Sequence, residues 1–541
     1  MKKVFIFFTV FTLISVFLSA QDNQDVSQRQ IELPNVVTEI ETQTETADTS
    51  VIPDFSDLLE NIEGSSPLVP DFPKIEIEES GLLTNESAPS QNKIYAEGKL
   101  GGGFPSLVFA DFSIYELNQD SPFNITFTHD SAAGYGNQSL NDNFNDNTSN
   151  IFLEKGFVWK NFDFNFAGSY ESEENGLQNK VLELSEVSQI LYSTVFDFSW
   201  TLPKGFEITS DLGLKFYKRY VDLTLDSANL SIDDWIKESS SFELNPKLKA
   251  LWSNNNFYVD LTGSYSLNTE SNVVNRGQFG AAFYWKNENV KLFTDAALIS
   301  GNKLNQNQAL IPFTLGIDSS FPVKISNRRM EINAKGGMES YRESRIDFEK
   351  LYNYTALCQD LTETSDWYAL VELLLPIKSA FTSSAKIEYR QTAFGNGIWE
   401  ASYNSEDPYY GLYSAQQVER KALTSDFSAI FNYKILSFTA NWHSNWIYIP
   451  VLESANLIDL ILTLQSEKAN WNFGLNSSFY IDKEFIAPLI TLTGMYKITD
   501  EVQLLANVQD IVNLFSGNLR TFAGQYAERS GLATIMVKFF F

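Results

Sequence analysis

The sequence predicts an all-β fold: a single closed antiparallel transmembrane β-barrel of about 22 strands, preceded by a disordered acidic tail. Three observations carry that reading. From Lys93 onward apolar and polar residues alternate with period 2 for roughly 450 residues, and no sustained helical period interrupts them. The gaps between the alternating runs are short and long in turn, the habit of outer-membrane barrels. Aromatic residues make up 14% of the chain, and Trp159, Trp200, Trp252, Trp285 and Trp446 sit near strand ends, where a lipid interface would place them.

Residues 1–20 read as a signal peptide. Lys2 and Lys3 precede the apolar run from Val4 to Leu18, and Leu18-Ser19-Ala20 offers small residues for cleavage after Ala20. No Cys stands at that site, so a lipoprotein is excluded. Beyond residue 20 no run of about 18 apolar residues exists, so any crossing of a bilayer must use strands.

Residues 21–92 differ from all that follows. Between 22 and 92 there are 16 Asp and Glu against 2 Lys and Arg, six prolines, and only Phe55 and Phe72 as aromatics. So little apolar area cannot offset chain entropy, which makes this a disordered, acidic, Pro-containing periplasmic tail. Within it "LPNV" (33–36), "IPDF" (52–55) and "VPDF" (69–72) repeat one pattern. Pro34, Val36, Pro53, Phe55, Pro70 and Phe72 are therefore candidate contacts for a periplasmic protein partner. Composition alone favours a plain Pro-rich linker.

Residues 93–541 form the barrel. In "FDFNFAGSY" Phe162, Phe164, Phe166 and Tyr170 share one side and Asp163, Asn165, Ala167 and Ser169 the other. "FNITFT" and "LSFTANWHSNW" repeat the alternation. Tight turns are expected at Lys160-Asn161, Pro203-Lys204, Asn254-Asn255 and Asp500-Glu501, and near Asn287-Glu288, Pro376-Ile377 and Lys434. Long polar loops are expected at 130–149, 171–188, 220–238, 341–366, 393–418 and 515–530.

The last strand, "GLATIMVKFFF", puts Ala533, Ile535, Val537, Phe539 and Phe541 on a face suited to lipid, with Thr534, Met536 and Lys538 toward a polar lumen. The alternating run ending in Phe539 and Phe541 resembles the signal that the barrel-assembly machinery recognises. This implies a place in the outer membrane of a diderm bacterium.

The stretch "LLANVQDIVNLFSGNLRTFAGQYAERSGLATIMVKFFF", with Asn-Leu-Phe at 513–515, Tyr526 and Gly531, resembles the end of TonB-dependent receptors. The expected strand number also matches that family's barrel. Members of the family carry a globular plug of well over a hundred residues before the barrel. Segment 22–92 is too short and too acidic to be one, so the resemblance is to a receptor barrel lacking the plug. "NVVTEIET" (35–42) is faintly like the family's energy-coupling box, and active uptake is not carried over from it. A barrel this wide needs its lumen filled, by inward side chains, the long loops, the acidic tail or another polypeptide.

Chemistry beyond transport finds little support. A net charge of −29 argues against nucleic acid. With one Cys (Cys358, read as incidental) and two His, no disulfide, metal site or cofactor is expected. His443 reads as a lumen-lining polar residue and His129 as the base of a loop; no nucleophile pattern accompanies either, so no enzyme is expected. Gly101-Gly102-Gly103 reads as a flexible turn rather than a phosphate cradle. Glu171-Ser172-Glu173-Glu174 and residues 141–147 read as solvated loop charge rather than a Ca²⁺ site. Two functional classes remain: a transport component without its own plug, and a scaffold or surface-interaction protein whose tail binds a periplasmic partner.

Overall fold

The computed structural model describes residues 94–541 except 117–120, 135–137, 139–141, 181–183, 224–237, 270–272, 303, 305–308, 323–328, 357–360, 379, 404–411, 451–452, 467, 483–486, 517–520 and 523–525. Residues 1–20, the tail with Pro34, Val36, Pro53, Phe55, Pro70 and Phe72, and Cys358 lie outside the described residues. One antiparallel sheet of 22 strands runs from Ile94–Phe104 to Leu532–Phe540. Those two strands pair with each other, Glu97 opposite Phe540 through Phe104 opposite Ala533, and the ring closes. Closure satisfies every strand edge internally, the condition a lipid environment imposes.

The alternation sorts side chains as the sequence predicts. On strand Val290–Gly301, Leu292 and Leu298 are exposed on the outside, while Asp295, Ala297 and Ile299 are buried inward. On the closing strand Ile535 is exposed, and Lys538 points into the lumen, where its Nζ lies 3.1 Å from Glu97 Oε2.

One rim carries short turns, including those between Trp159 and Phe162, Leu202 and Phe206, Asn254 and Phe257, and Tyr433 and Leu436. Lys160, Lys204 and Lys434 supply positive φ there. The turn expected near Pro376-Ile377 falls two residues later, after Lys378. An aromatic girdle follows this rim: the Phe162 ring stacks between Trp159 (centroids 5.9 Å) and Trp200 (5.2 Å), and Phe206 meets Trp252 at 6.3 Å. Trp446 belongs to the opposite rim, edge-on to Trp442.

Three expectations change. Gly101-Gly102-Gly103 is no turn; it lies inside strand Ile94–Phe104 and pairs on both sides. A Cβ at Gly103 would meet Ala533 O and lie 2.9 Å from Thr534 Cα, so glycine lets the seam close tightly. His129 sits within strand Phe123–Ala133, its Nδ1 2.9 Å from Ser149 Oγ, rather than at a loop base. Several strands also climb into segments read as loops: Phe162–Gly176 includes the whole Glu171–Glu174 cluster, and Asn145–Trp159 begins inside 130–149. Above the bilayer both faces of a strand are wet, so the ladder continues after the polarity alternation has stopped.

Candidate functional site

The long-loop rim is covered by a cap built from the chain itself. Its centre is helix α1 (Arg345–Leu351), in the connection between strands Arg329–Tyr341 and Thr364–Lys378. Ser344 caps the helix by accepting from the Ile346 and Asp347 amides. A second helix, α2 (Ile511–Ser516), opens the last long loop. A hairpin of Ile398–Tyr403 with Tyr413–Val418 stands in the loop after strand Phe381–Thr392.

α1 does not dock on its own part of the wall. It reaches back past four strands to the inner faces of Phe162–Gly176, Leu184–Leu202, Phe206–Leu223 and Glu238–Asn254. Lys350 Nζ donates to Glu171 at 2.5 Å and Asn353 Nδ2 to Glu173 at 2.6 Å. Gln189 Nε2 donates to the Glu349 carbonyl at 3.1 Å, Lys215 Nζ to Asp347 at 3.0 Å, and Arg345 Nη2 to Ser239 Oγ at 2.8 Å. Ser344 Oγ donates to Glu243, and Arg219 to the Thr355 carbonyl.

At the centre two guanidiniums share one carboxylate. Arg345 Nε is 2.7 Å from Glu349 Oε1 and Arg219 Nε 3.9 Å from Glu349 Oε2, with Arg219 1% and Glu349 0% exposed. Around this triad Phe348, Tyr352 and Ala356 pack with Leu184, Val187 and Val221 of the wall and with Leu177, Leu412, Tyr413 and Tyr526 of the other loops.

The remaining loops interlock. Tyr354 stacks face to face on Tyr526 at 3.9 Å, and Gln178 both donates to and accepts from the Ala527 backbone (2.8 and 2.7 Å). Arg276 grips Glu363 at 3.1 and 3.3 Å, and Ser340 Oγ donates to the same carboxylate at 2.8 Å. Arg529 spans Asp146 (2.7 Å) and Asp130 (2.8 Å), bringing the last loop over the first strands. Burial would lower the Arg529 guanidinium, but Asp146 and Asp130 outweigh it and hold the group above its ordinary value. Burial, with Asp347 adding, pushes the Glu343 carboxyl up to about 7, and burial also raises Glu400.

Beneath the cap the lumen is polar. A wall cavity of about 510 Å³ is lined by Asp197, Asp211, Asn245, Lys247, Ser264, Ser266 and Arg276, together with Val195, Gly213, Pro246 and Tyr265. His443 faces this side, as expected, and each ring nitrogen is next to a carboxylate, Nδ1 2.5 Å from Asp426 and Nε2 3.5 Å from Glu453. Such a ring has no free nitrogen to serve as a base. The Glu171–Glu174 carboxylates are occupied by Lys350, Asn353, Asn175 and Asn147.

Phe539 and Phe541 lie together on the lipid side, centroids 6.4 Å apart, and the Phe541 amide donates to the Ala96 carbonyl at 2.7 Å. Of the cap residues, Tyr526 and the Asn-Leu-Phe of α2 were marked in the sequence only as points of resemblance, and none on α1 was, although Ser344 with Asp347 is a capping pattern sitting in plain view.

No protein-family model and no curated protein sequence matches the chain. Solved structures do. The copper transporter OprC superposes with a TM-score of 0.62 at 11% identity, over 84% of this chain and 82% of that one. The FrpB iron transporter of Neisseria meningitidis gives 0.61 at 7% identity, over 84% and 82%. The siderophore receptor PirA of Acinetobacter baumannii gives 0.60 at 9%, over 84% and 81%. At such identities the likeness is one of fold.

Proposed function

Starting from a TonB-dependent-receptor-like barrel whose long-loop mouth is covered by its own loops, we propose that the chain is an outer-membrane transport component without a plug of its own, through which a hydrophilic solute passes when the cap is displaced. The observation that supports this most is the arrangement of a polar lumen under a self-made cap. A purely structural barrel has no use for a wide lumen kept polar and then covered. In this reading residues 1–20 are a cleaved signal peptide, and 21–92 a periplasmic tail that meets a protein partner through Pro34, Val36, Pro53, Phe55, Pro70 and Phe72. Phe539 and Phe541 are the assembly signal. The tail is a poor plug, since residues 93–541 themselves carry 52 Asp and Glu against 35 Lys and Arg and would repel it.

The test is solute entry into vesicles holding the refolded chain, with and without 22–92, and with residues 343–356 replaced by a short Gly-Ser linker. Slow entry in the first two and rapid entry in the third supports transport under a loop cap. Slow entry in all three overturns it and favours the scaffold reading.

A further inference from the structure

The contact between the α1 segment and the wall joins two opposing tendencies. Apolar packing of Phe348 and Tyr352 favours the docked state, and nothing about it is unusual. The polar part is different. Arg219, Arg345 and Glu349 put two positive charges and one negative into a site nearly closed to water. Desolvating such a group can cost more than its ion pairs return, which makes a buried triad weak glue. Hydrogen bonding does not repair this: Arg219 Nη1, Gln189 Oε1, Ser241 Oγ and Thr355 Oγ1 are all buried without a partner in the protein. Undocking would hydrate every one of these groups, whereas the strand ladder beneath needs nothing from the helix.

Taken with the transport reading above, on which it rests, we propose that residues 342–356 are a lid with two closely balanced states, held shut by apolar contacts and pushed open by the Arg219–Glu349–Arg345 triad. The triad is thus a destabilising device, retained so that the mouth can clear. Removing one charge and removing all three must then act in opposite directions. Glu349→Ala removes the carboxylate that two buried guanidiniums share and opens the lid. The triple change Arg219→Met, Arg345→Leu, Glu349→Leu replaces the triad by apolar volume and locks it.

The experiment is hydrogen exchange across 345–355 in vesicle-embedded protein, beside solute entry, with heat-modifiable migration on a gel confirming that each barrel is folded. Exchange about tenfold faster in Glu349→Ala and about tenfold slower in the triple variant is expected. Faster exchange in both variants would mean the triad is ordinary structural support, and the lid proposal fails. Unchanged exchange in both fails it as well. Opposite shifts in exchange with no change in solute entry would keep the lid and overturn the transport reading.

Discussion

Replacing Gly103 by alanine tests how the ring closes. The first and last strands share eight residue pairs, and Gly103 opposite Thr534 is next to the end of that register. A Cβ there would press on Ala533 O and stand 2.9 Å from Thr534 Cα, and these are backbone atoms of the closing strand, with no flexible side chain to yield. The strands must part locally, and the pairs Gly103–Thr534 and Phe104–Ala533 are lost. At about 1 kcal/mol per ladder hydrogen bond the cost is ~2–3 kcal/mol.

Gly263 is the matched control, since a Cβ there meets nothing within 4 Å. Gly263→Ala should gain about 0.5–1 kcal/mol, as alanine is less costly than glycine to order in a strand interior. The two variants should therefore differ by about 3 kcal/mol, roughly a hundredfold in the folding equilibrium constant. Reversible urea unfolding in phospholipid vesicles, followed by Trp fluorescence, reads this directly. Equal midpoints, or a Gly263→Ala midpoint below that of Gly103→Ala, would refute the argument that glycine is at the seam for close approach.

Further outcomes follow from the same geometry. Glu343 titrates near 7 in the docked cap and near 4.5 when free, so the docked state binds the extra proton between those values. Docking should tighten as pH falls from about 7 toward 4.5 and loosen as it rises; exchange across 345–352, corrected for intrinsic pH dependence, should show this, and Glu343→Gln should flatten it. Phe162→Ala removes three ring contacts, to Trp159, Phe198 and Trp200, and should cost ~1–3 kcal/mol in the same vesicle assay, with no effect on the cap. Arg529→Ala should raise protease cleavage in 517–530 while the barrel stays heat-modifiable. Deleting 22–92 should leave the barrel folded and heat-modifiable; loss of folding would make the tail structural.

The barrel was legible because lipid imposes its rule residue by residue. Phe164 and Asn165 or Ile535 and Lys538 must face opposite media, and the period of 2 records that constraint directly. The cap was not legible, because its rule is pairwise and distant. Arg219 and Glu349 look like any charged residues until the strands bring the wall to the helix, and no spacing in the chain announces that meeting. Glycine misled for a related reason: Gly101–Gly103 has the composition of a turn, and only the closing strand beside it shows why side chains are missing. Strand ends were misjudged where both faces become wet, as at Glu171–Glu174.

Arg529 bridges to Asp130 across 399 residues of chain, and Gln178 meets Ala527 across 349. Contacts of such span carry a loop-closure cost that is repaid only when the strands between them are in register. The cap therefore acts as an inspection stamp on assembly. A barrel with a slipped or missing strand would hold these partners several ångströms apart and leave its mouth unsealed, open to surface proteases, while a correctly finished one hides the same loops from them.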